Sequence, residues 1–177
     1  MREEIRELIP EEQLYARIRE LADQINRDYA GKELHLLCTL KGAVFFTCEL
    51  AKHLTIPVKF TFCKCSSYGG STVSSGKVHL DIDLDEDIHG KDVLVVEDII
   101  DTGNTLSFLI NILNAREPAS LKLATMLDKP SRRRVEGLTP DYNCYTIDDL
   151  FVVGFGLDYD QKYRNLPYIG VVEFVED

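Results

Sequence analysis

Long apolar runs are missing from this chain of 177 residues. No stretch approaches the roughly 18 consecutive apolar residues of a membrane span, so no membrane-spanning helix is expected within the chain. The first 25 residues, MREEIRELIPEEQLYARIRELADQI, are acidic and amphipathic, unlike a secretory leader, so the mature chain is expected to be the whole chain. An excess of basic residues is missing too. The formal net charge of -10 argues against a sequence-independent grip on nucleic acid, which needs a basic surface. Zinc-like cysteine spacing is absent: Cys38, Cys48, Cys63, Cys65 and Cys144 are odd in number, sit mostly in apolar segments and include no second ligand pair. Such thiols behave as small hydrophobes and suit a reducing cytoplasm. The Gly-x-x-x-x-Gly-Lys-Ser/Thr spacing of a nucleotide-hydrolysing loop is also lacking. Without repeats, low-complexity tracts or a linker-like shift in composition, residues 1–177 are expected to form a single domain.

What is present is an alternation of strand and helix signals. Leu14, Ile18, Leu21, Ala22 and Ile25 recur at helical spacing after Pro10. LHLLCTL reads as a strand ending at Lys41-Gly42, and AVFFTCELAKHL as a helix ending before Pro57. VKFTFCKC and KVHLDIDLD alternate apolar and polar residues, as strands with one wet face do. Between them SSYGGSTVSSG, residues 66–76, is small, polar and longer than a hairpin needs, and is expected to be a mobile flap. DVLVVEDII is the most apolar strand and TLSFLINILNA a helix, while LKLATML, FVVGFGL and YIGVVEFV complete the strands. The pattern predicts an α/β fold with a mostly parallel central sheet flanked by helices. Ligands then collect beyond the carboxyl ends of the strands, where LKG, DIIDTGNT, LDKPS and GLDYDQKYR are expected to share one rim.

The chemistry concentrates in VLVVEDIIDTGNTL. Gly103, Thr102 and Thr105 precede a helix whose first amides are unpaired, a good seat for a phosphate monoester. Glu97 and Asp98, followed by Asp101, place three carboxylates beside that seat. They repel one another unless cations or hydroxyl groups satisfy them. A substrate with a phosphate at one end, sugar hydroxyls, a bound magnesium and a carbon of developing positive charge meets all these needs. Ribose 5-phosphate undergoing substitution at its anomeric carbon is such a substrate.

That stretch is similar to the phosphoribosyl diphosphate signature of the type I phosphoribosyltransferases. LKG, SSYGG, LDKPSRR and FVVGFGLDYDQKYRNLPYIG resemble that family's segments in order and spacing, and the last of them resembles the hypoxanthine-guanine, or 6-oxopurine, branch. The resemblance implies that family's fold, with a small hood beside the sheet and a flexible flap loop. It implies purine salvage: magnesium-dependent transfer of phosphoribose from 5-phosphoribosyl 1-diphosphate to hypoxanthine or guanine, giving IMP or GMP and pyrophosphate. Glu97 and Asp98 then engage the ribose hydroxyls, directly or through Mg2+, and Asp101, Thr102, Gly103, Asn104 and Thr105 cradle the 5-phosphate. Asp101 also matches the catalytic carboxylate facing purine N7. Lys41, Gly42 and Arg164 match the pyrophosphate contacts, in a loop whose Leu40-Lys41 peptide the family allows to be cis. Lys129 matches the donor to the 6-oxo group, Phe151 the stacking ring, and the Val152 backbone the contact to the ring edge. Asp158 falls on the purine side and matches a ligand of a second magnesium. Ser67 and Tyr68 match the flap dipeptide, and a homodimer or homotetramer is implied. Asn104 stands where many relatives carry lysine, which leaves the phosphate to the backbone amides. SRRRVEG, after the lysine segment, reads as solvated surface. A phosphoryl-receiver domain fits less well, because its acidic pair should follow the first strand, which here ends in LKG.

Overall fold

A computed structural model describes residues 2–68 and 77–176, so the central part of the expected flap lies outside the described residues. In chain order the elements are β1 (Arg2–Ile9), α1 (Glu11–Asp28), β2 (Leu34–Thr39), α2 (Val44–Lys52), β3 (Val58–Tyr68), β4 (Lys77–Ile82), β5 (Asp92–Ile100), α3 (Asn104–Asn114), β6 (Ser120–Asp128), β7 (Tyr142–Thr146), β8 (Val152–Val153) and β9 (Ile169–Val175). A 3-10 turn, Pro130–Arg132, follows β6.

Six strands form the main sheet in the order β4-β3-β2-β5-β6-β7. Every neighbouring pair is parallel except β3 with β4. The sheet is covered on both faces, and β5 shows why its sequence is apolar without alternation. Leu94 and Val96 face the core formed with α1 and α2, while Val93 and Val95 face the core formed with α3. The helical face expected of α1 is the buried one, with Leu14, Ile18, Leu21, Ala22 and Ile25 all in the core. A second, antiparallel sheet in the order β1-β9-β8 forms the small hood.

The wet face of β3 is not the one its hydropathy marks. Phe60 and Phe62 are each 41% exposed, whereas Thr61 and Cys63 are buried. Cys63 packs in the α3 core and Thr61 donates to Asp85 Oδ1 at 3.1 Å. The α2 side of β3 has less cover: Val58 packs on that core, but Phe60 and Phe62 stack on one another, 6.2 Å apart, in the open. Ser67 pairs with Val78 and the Tyr68 backbone with Lys77, so the described flanks of the flap form an antiparallel ribbon.

Candidate active site

The strand-end loops expected to share a rim do meet. β5 carries Glu97 and Asp98 within its last four residues and turns through Asp101, Thr102 and Gly103 into α3. Gly103 holds φ at +84°, and a Cβ there would lie 2.5 Å from Leu138 Cδ2 and 3.2 Å from Arg133 Cδ, so only glycine suits both the turn and its neighbours. No side chain caps α3, and the Asn104 amide makes only a long 3.4 Å contact to Thr102 Oγ1. The helix start is therefore open to an anion.

Gly42 lies directly against Asp98. A Cβ on Gly42 would overlap the Asp98 carboxylate, with its Cγ 2.7 Å away. The loop after β8 packs on Gly42 in turn: Gly156, at φ +102°, leaves no room for a Cβ beside the Gly42 carbonyl. The Leu40-Lys41 peptide is cis. Two adjoining cavities, about 110 and about 200 Å³, share Glu97 and Thr105. The first is lined also by Thr39, Leu40, Gly42, Cys65 and Asp98, the second by Asp101, Thr102 and Gly103.

Glu97 and Asp98 keep a window to solvent while lying deep in this cleft. Burial pushes the Glu97 carboxyl well above the usual range, and repulsion from Asp98 adds to the shift. Burial raises Asp98 as well, against the pull of the Ile99 amide, which donates to its Oδ1 at 2.7 Å, and of the Arg164 guanidinium. Two carboxylates held this way gain from any cation or hydroxyl that enters.

On the far side of Gly42 the positive groups converge. Lys41 Nζ and Arg164 Nη2 stand 3.5 and 3.2 Å from one oxygen, Gln161 Oε1. Arg164 is held by the Gly156 carbonyl at 2.7 Å and by Asp158 Oδ1 at 3.1 Å. Asp158 Oδ2 accepts from the Gln161 amide at 2.8 Å, so both oxygens of Asp158 have partners within its own loop. Asp160, Gln161 and Tyr163 adopt positive φ of 50°, 63° and 72°. Such values favour Asn and Asp over larger side chains and signal a loop shaped by its contacts. Gln161 was not among the residues singled out from the sequence, and only the fold brings it between Lys41 and Arg164.

Neither Lys129 nor Phe151 lines these two cavities; they stand beyond the turn after β5, where the end of β6 meets the segment leading into β8. The Lys129 side chain is 9% exposed, its amide donates to the Ile100 carbonyl at 3.0 Å, and its ammonium lies 3.8 Å from Asp149. Phe151 is 50% exposed, with Tyr159 edge-on at 5.6 Å and Phe174 edge-on to Tyr159 at 5.7 Å. The Phe151 carbonyl accepts from the Val172 amide, so the alternation of an antiparallel ladder turns the Val152 N–H and C=O to the free edge. Within SRRRVEG, Arg133 corrects the expectation of solvated surface. It pairs with Asp128 and donates to the Asp101 and Leu138 carbonyls at 3.2 and 2.6 Å, because the segment is strapped across the turn after β5. Among the described residues no three acidic, histidine or cysteine side chains form a metal cage. Oxygen donors in ones and twos are what magnesium takes from a protein when substrate phosphates supply the rest.

Residues 6–160 match the phosphoribosyl transferase domain family. The chain is 49% identical to the hypoxanthine-guanine phosphoribosyltransferase of Streptococcus thermophilus strain CNRZ 1066 over 166 residues, 94% of this chain and 92% of that one. It is 45% identical to the hypoxanthine phosphoribosyltransferase of Salmonella typhimurium over 179 residues, with both chains fully covered. Its structure is similar to that of a hypoxanthine-guanine phosphoribosyltransferase from Bacillus anthracis, with a TM-score of 0.90, 45% identity and coverage of 98% and 100% of the two chains. With that likeness running through the strand-end loops as well as the sheet, the chain belongs to the phosphoribosyltransferase family, among its hypoxanthine-guanine members.

Proposed function

We propose that residues 1–177 form one catalytic domain that transfers phosphoribose from 5-phosphoribosyl 1-diphosphate to hypoxanthine and guanine, with magnesium, in purine salvage. The observation that carries this is the convergence of Lys41 and Arg164 on a single oxygen beside the half-buried pair Glu97 and Asp98. A polyanionic leaving group suits the first pair, and a sugar losing electrons suits the second.

In this reading the amides from Thr102 to Thr105 hold the 5-phosphate, and Asn104 adds no charge. Glu97 and Asp98 accept hydrogen bonds from the ribose hydroxyls and hold one magnesium with the donor, while Asp158 holds a second. The metal, when bound, neutralises charge on the diphosphate oxygens. Lys41, Gly42 and Arg164 retain the pyrophosphate as the bond from the anomeric carbon to its oxygen breaks. Purine N9 forms the new bond to that carbon, and Asp101 accepts the proton that N7 sheds. The fixed negative charge of the acids favours the oxocarbenium-like transition state over the ground state. Phe151 stacks on the base, Val152 meets its edge, and Lys129 donates to the 6-oxo group. An ammonium has donors only, so adenine's amine is penalised. Ser67 and Tyr68 belong to a flap that excludes water.

Free thiols throughout support a reducing cytoplasm. Exposed Phe45, Phe60, Phe62 and Ile82 support assembly as a homodimer or homotetramer. The acidic net charge speaks against nucleic acid, and no helix among the described residues is long and apolar enough to cross a membrane. The test is product formation from hypoxanthine, guanine, xanthine and adenine with donor and magnesium, repeated with Asp101→Asn. The 6-oxopurines should react and adenine should not, and Asp101→Asn should lower kcat far more than it raises the donor KM. Turnover of adenine alone, or equal effects on both constants, would overturn the assignment.

A further inference from the structure

The strap across the turn after β5 brings one more side chain to the purine side of the cleft. The 129–134 segment is fixed to that turn by three bonds: Lys129 N to the Ile100 carbonyl at 3.0 Å, Arg133 Nε to the Asp101 carbonyl at 3.2 Å, and Arg134 N to the Thr102 carbonyl at 2.9 Å. Pro130 starts the 3-10 turn within this segment, and Arg132 ends it. So placed, Arg132 Nε donates to Asp101 Oδ1 at 3.1 Å. Its Nη1 lies 3.5 Å from Asp149 Oδ2, and the other Asp149 oxygen lies 3.8 Å from Lys129 Nζ. Asp101, Arg132, Asp149 and Lys129 thus form a chain of alternating charge. Its two ends are the groups assigned to neighbouring polar positions on one edge of the base, N7 and the 6-oxo oxygen.

We infer that Arg132 is a positioning residue for Asp101, holding Oδ1 so that Oδ2 faces purine N7, and that Asp149 aligns Arg132 with Lys129. This role rests on Asp101 facing N7. A guanidinium has donors only, so it engages Oδ1 as an acceptor and leaves the lone pairs of Oδ2 to face N7. Arg132 and Asp101 are each 45% exposed, and an ion pair this wet adds little stability. Orientation is what it supplies, and the interaction strengthens when the base displaces water from the cleft. Lysine has no planar fork and cannot reach Asp101 and Asp149 with the same geometry.

The test is a double-mutant cycle in steady-state kinetics at saturating hypoxanthine and donor, with melting temperatures measured in parallel. Arg132→Gln should lower kcat by about 10-fold, a fraction of the 10²–10⁴ that proton transfer contributes, with the donor KM within about twofold and the fold intact. Arg132→Lys should recover part of the loss. In an Asp101→Asn background Arg132→Gln should cost less than about twofold, because the group it positions has already been disabled. Equal losses in both backgrounds, or an unchanged kcat in Arg132→Gln, would overturn the inference while leaving Asp101 in place. If Asp101→Asn alone kept full kcat, the assignment of Asp101 itself would fail and the role of Arg132 with it.

Discussion

Replacing Gly42 by alanine probes the contact between the loop after β2 and the acids of β5. The added methyl overlaps the Asp98 carboxylate, 2.7 Å from its Cγ, while Asp98 Cβ is 3.5 Å away, an ordinary contact. The backbone of Gly42 has little freedom to yield, because Gly156 is packed against its carbonyl from the other side. Asp98 must therefore turn out of its place and give up the 2.7 Å bond from the Ile99 amide. Overpacking of this kind costs about 1–3 kcal/mol. For a chain of this size each kcal/mol lowers the melting temperature by about 2–4 °C. A displacement of about 1 Å at an acid beside the reacting sugar should cost kcat about 100-fold. The overlap involves only the carboxylate, so Asp98→Ala should relieve it. Gly42→Ala should then be nearly neutral for stability, and the two substitutions should couple by about 1–3 kcal/mol. Urea denaturation of the four proteins of the cycle, with product formation measured alongside, makes the comparison. If Gly42→Ala destabilised equally with and without the Asp98 carboxylate, the packing argument would be refuted.

The raised carboxyl of Glu97 makes a prediction about pH. Its folded form holds a proton that the unfolded chain releases, so its contribution to stability falls as pH rises from the ordinary carboxylate range through the raised folded value. Glu97→Gln removes that slope: without metal or donor it should be more stable than the parent at pH 8 by on the order of 1–2 kcal/mol, with little difference near pH 5, and inactive. Urea midpoints that differed equally at both pH values would count against it. Gly156→Ala combines an unfavourable φ of +102° with overlap on a backbone carbonyl that no side-chain rotation can relieve. It should destabilise by more than about 2 kcal/mol in a thermal melt, and a wild-type melting temperature would contradict this. Lys129→Met should reduce kcat/KM for hypoxanthine by about 10- to 100-fold, the worth of one charged hydrogen bond, without changing the donor KM. An unaltered specificity constant would remove Lys129 from base recognition.

Most of the main sheet was legible because its strands carry their own signals; the edge strand β7, the short polar-flanked YNCYT, has too weak an alternation to mark itself and went unread. The unbroken apolar run of β5 and the helical spacing of α1 are local patterns, and the loops after β2, β5 and β6 inherit their meeting place from strand direction alone. β1 was not legible: Arg2–Ile9 is mostly charged, and its partners in β9 lie 160 or more residues away, so nothing local marks it as a strand. The inside of β3 was misjudged for a related reason. Which face of a strand is buried depends on where α2 stops, and hydropathy alone points Phe60 and Phe62 inward. Glu97, Asp98 and Gly42 announce themselves by residue type. Gln161 and Arg132 do not, since each looks like a solvated polar residue until a distant loop is folded against it.

The hood joins the first strand to the last, and this gives the molecule a timetable. During synthesis β2 to β7 have all been made by Thr146 and pair only with one another, so the floor of the cleft needs no strand of the hood. β1 has left the ribosome long before, yet it waits as an unpaired strand until β9 appears, and β8 has no neighbour until then either. The cleft around Glu97, Asp98 and the Gly103 turn can therefore take shape in a nascent chain before the hood sheet, beside which Phe151 stands, has all its strands.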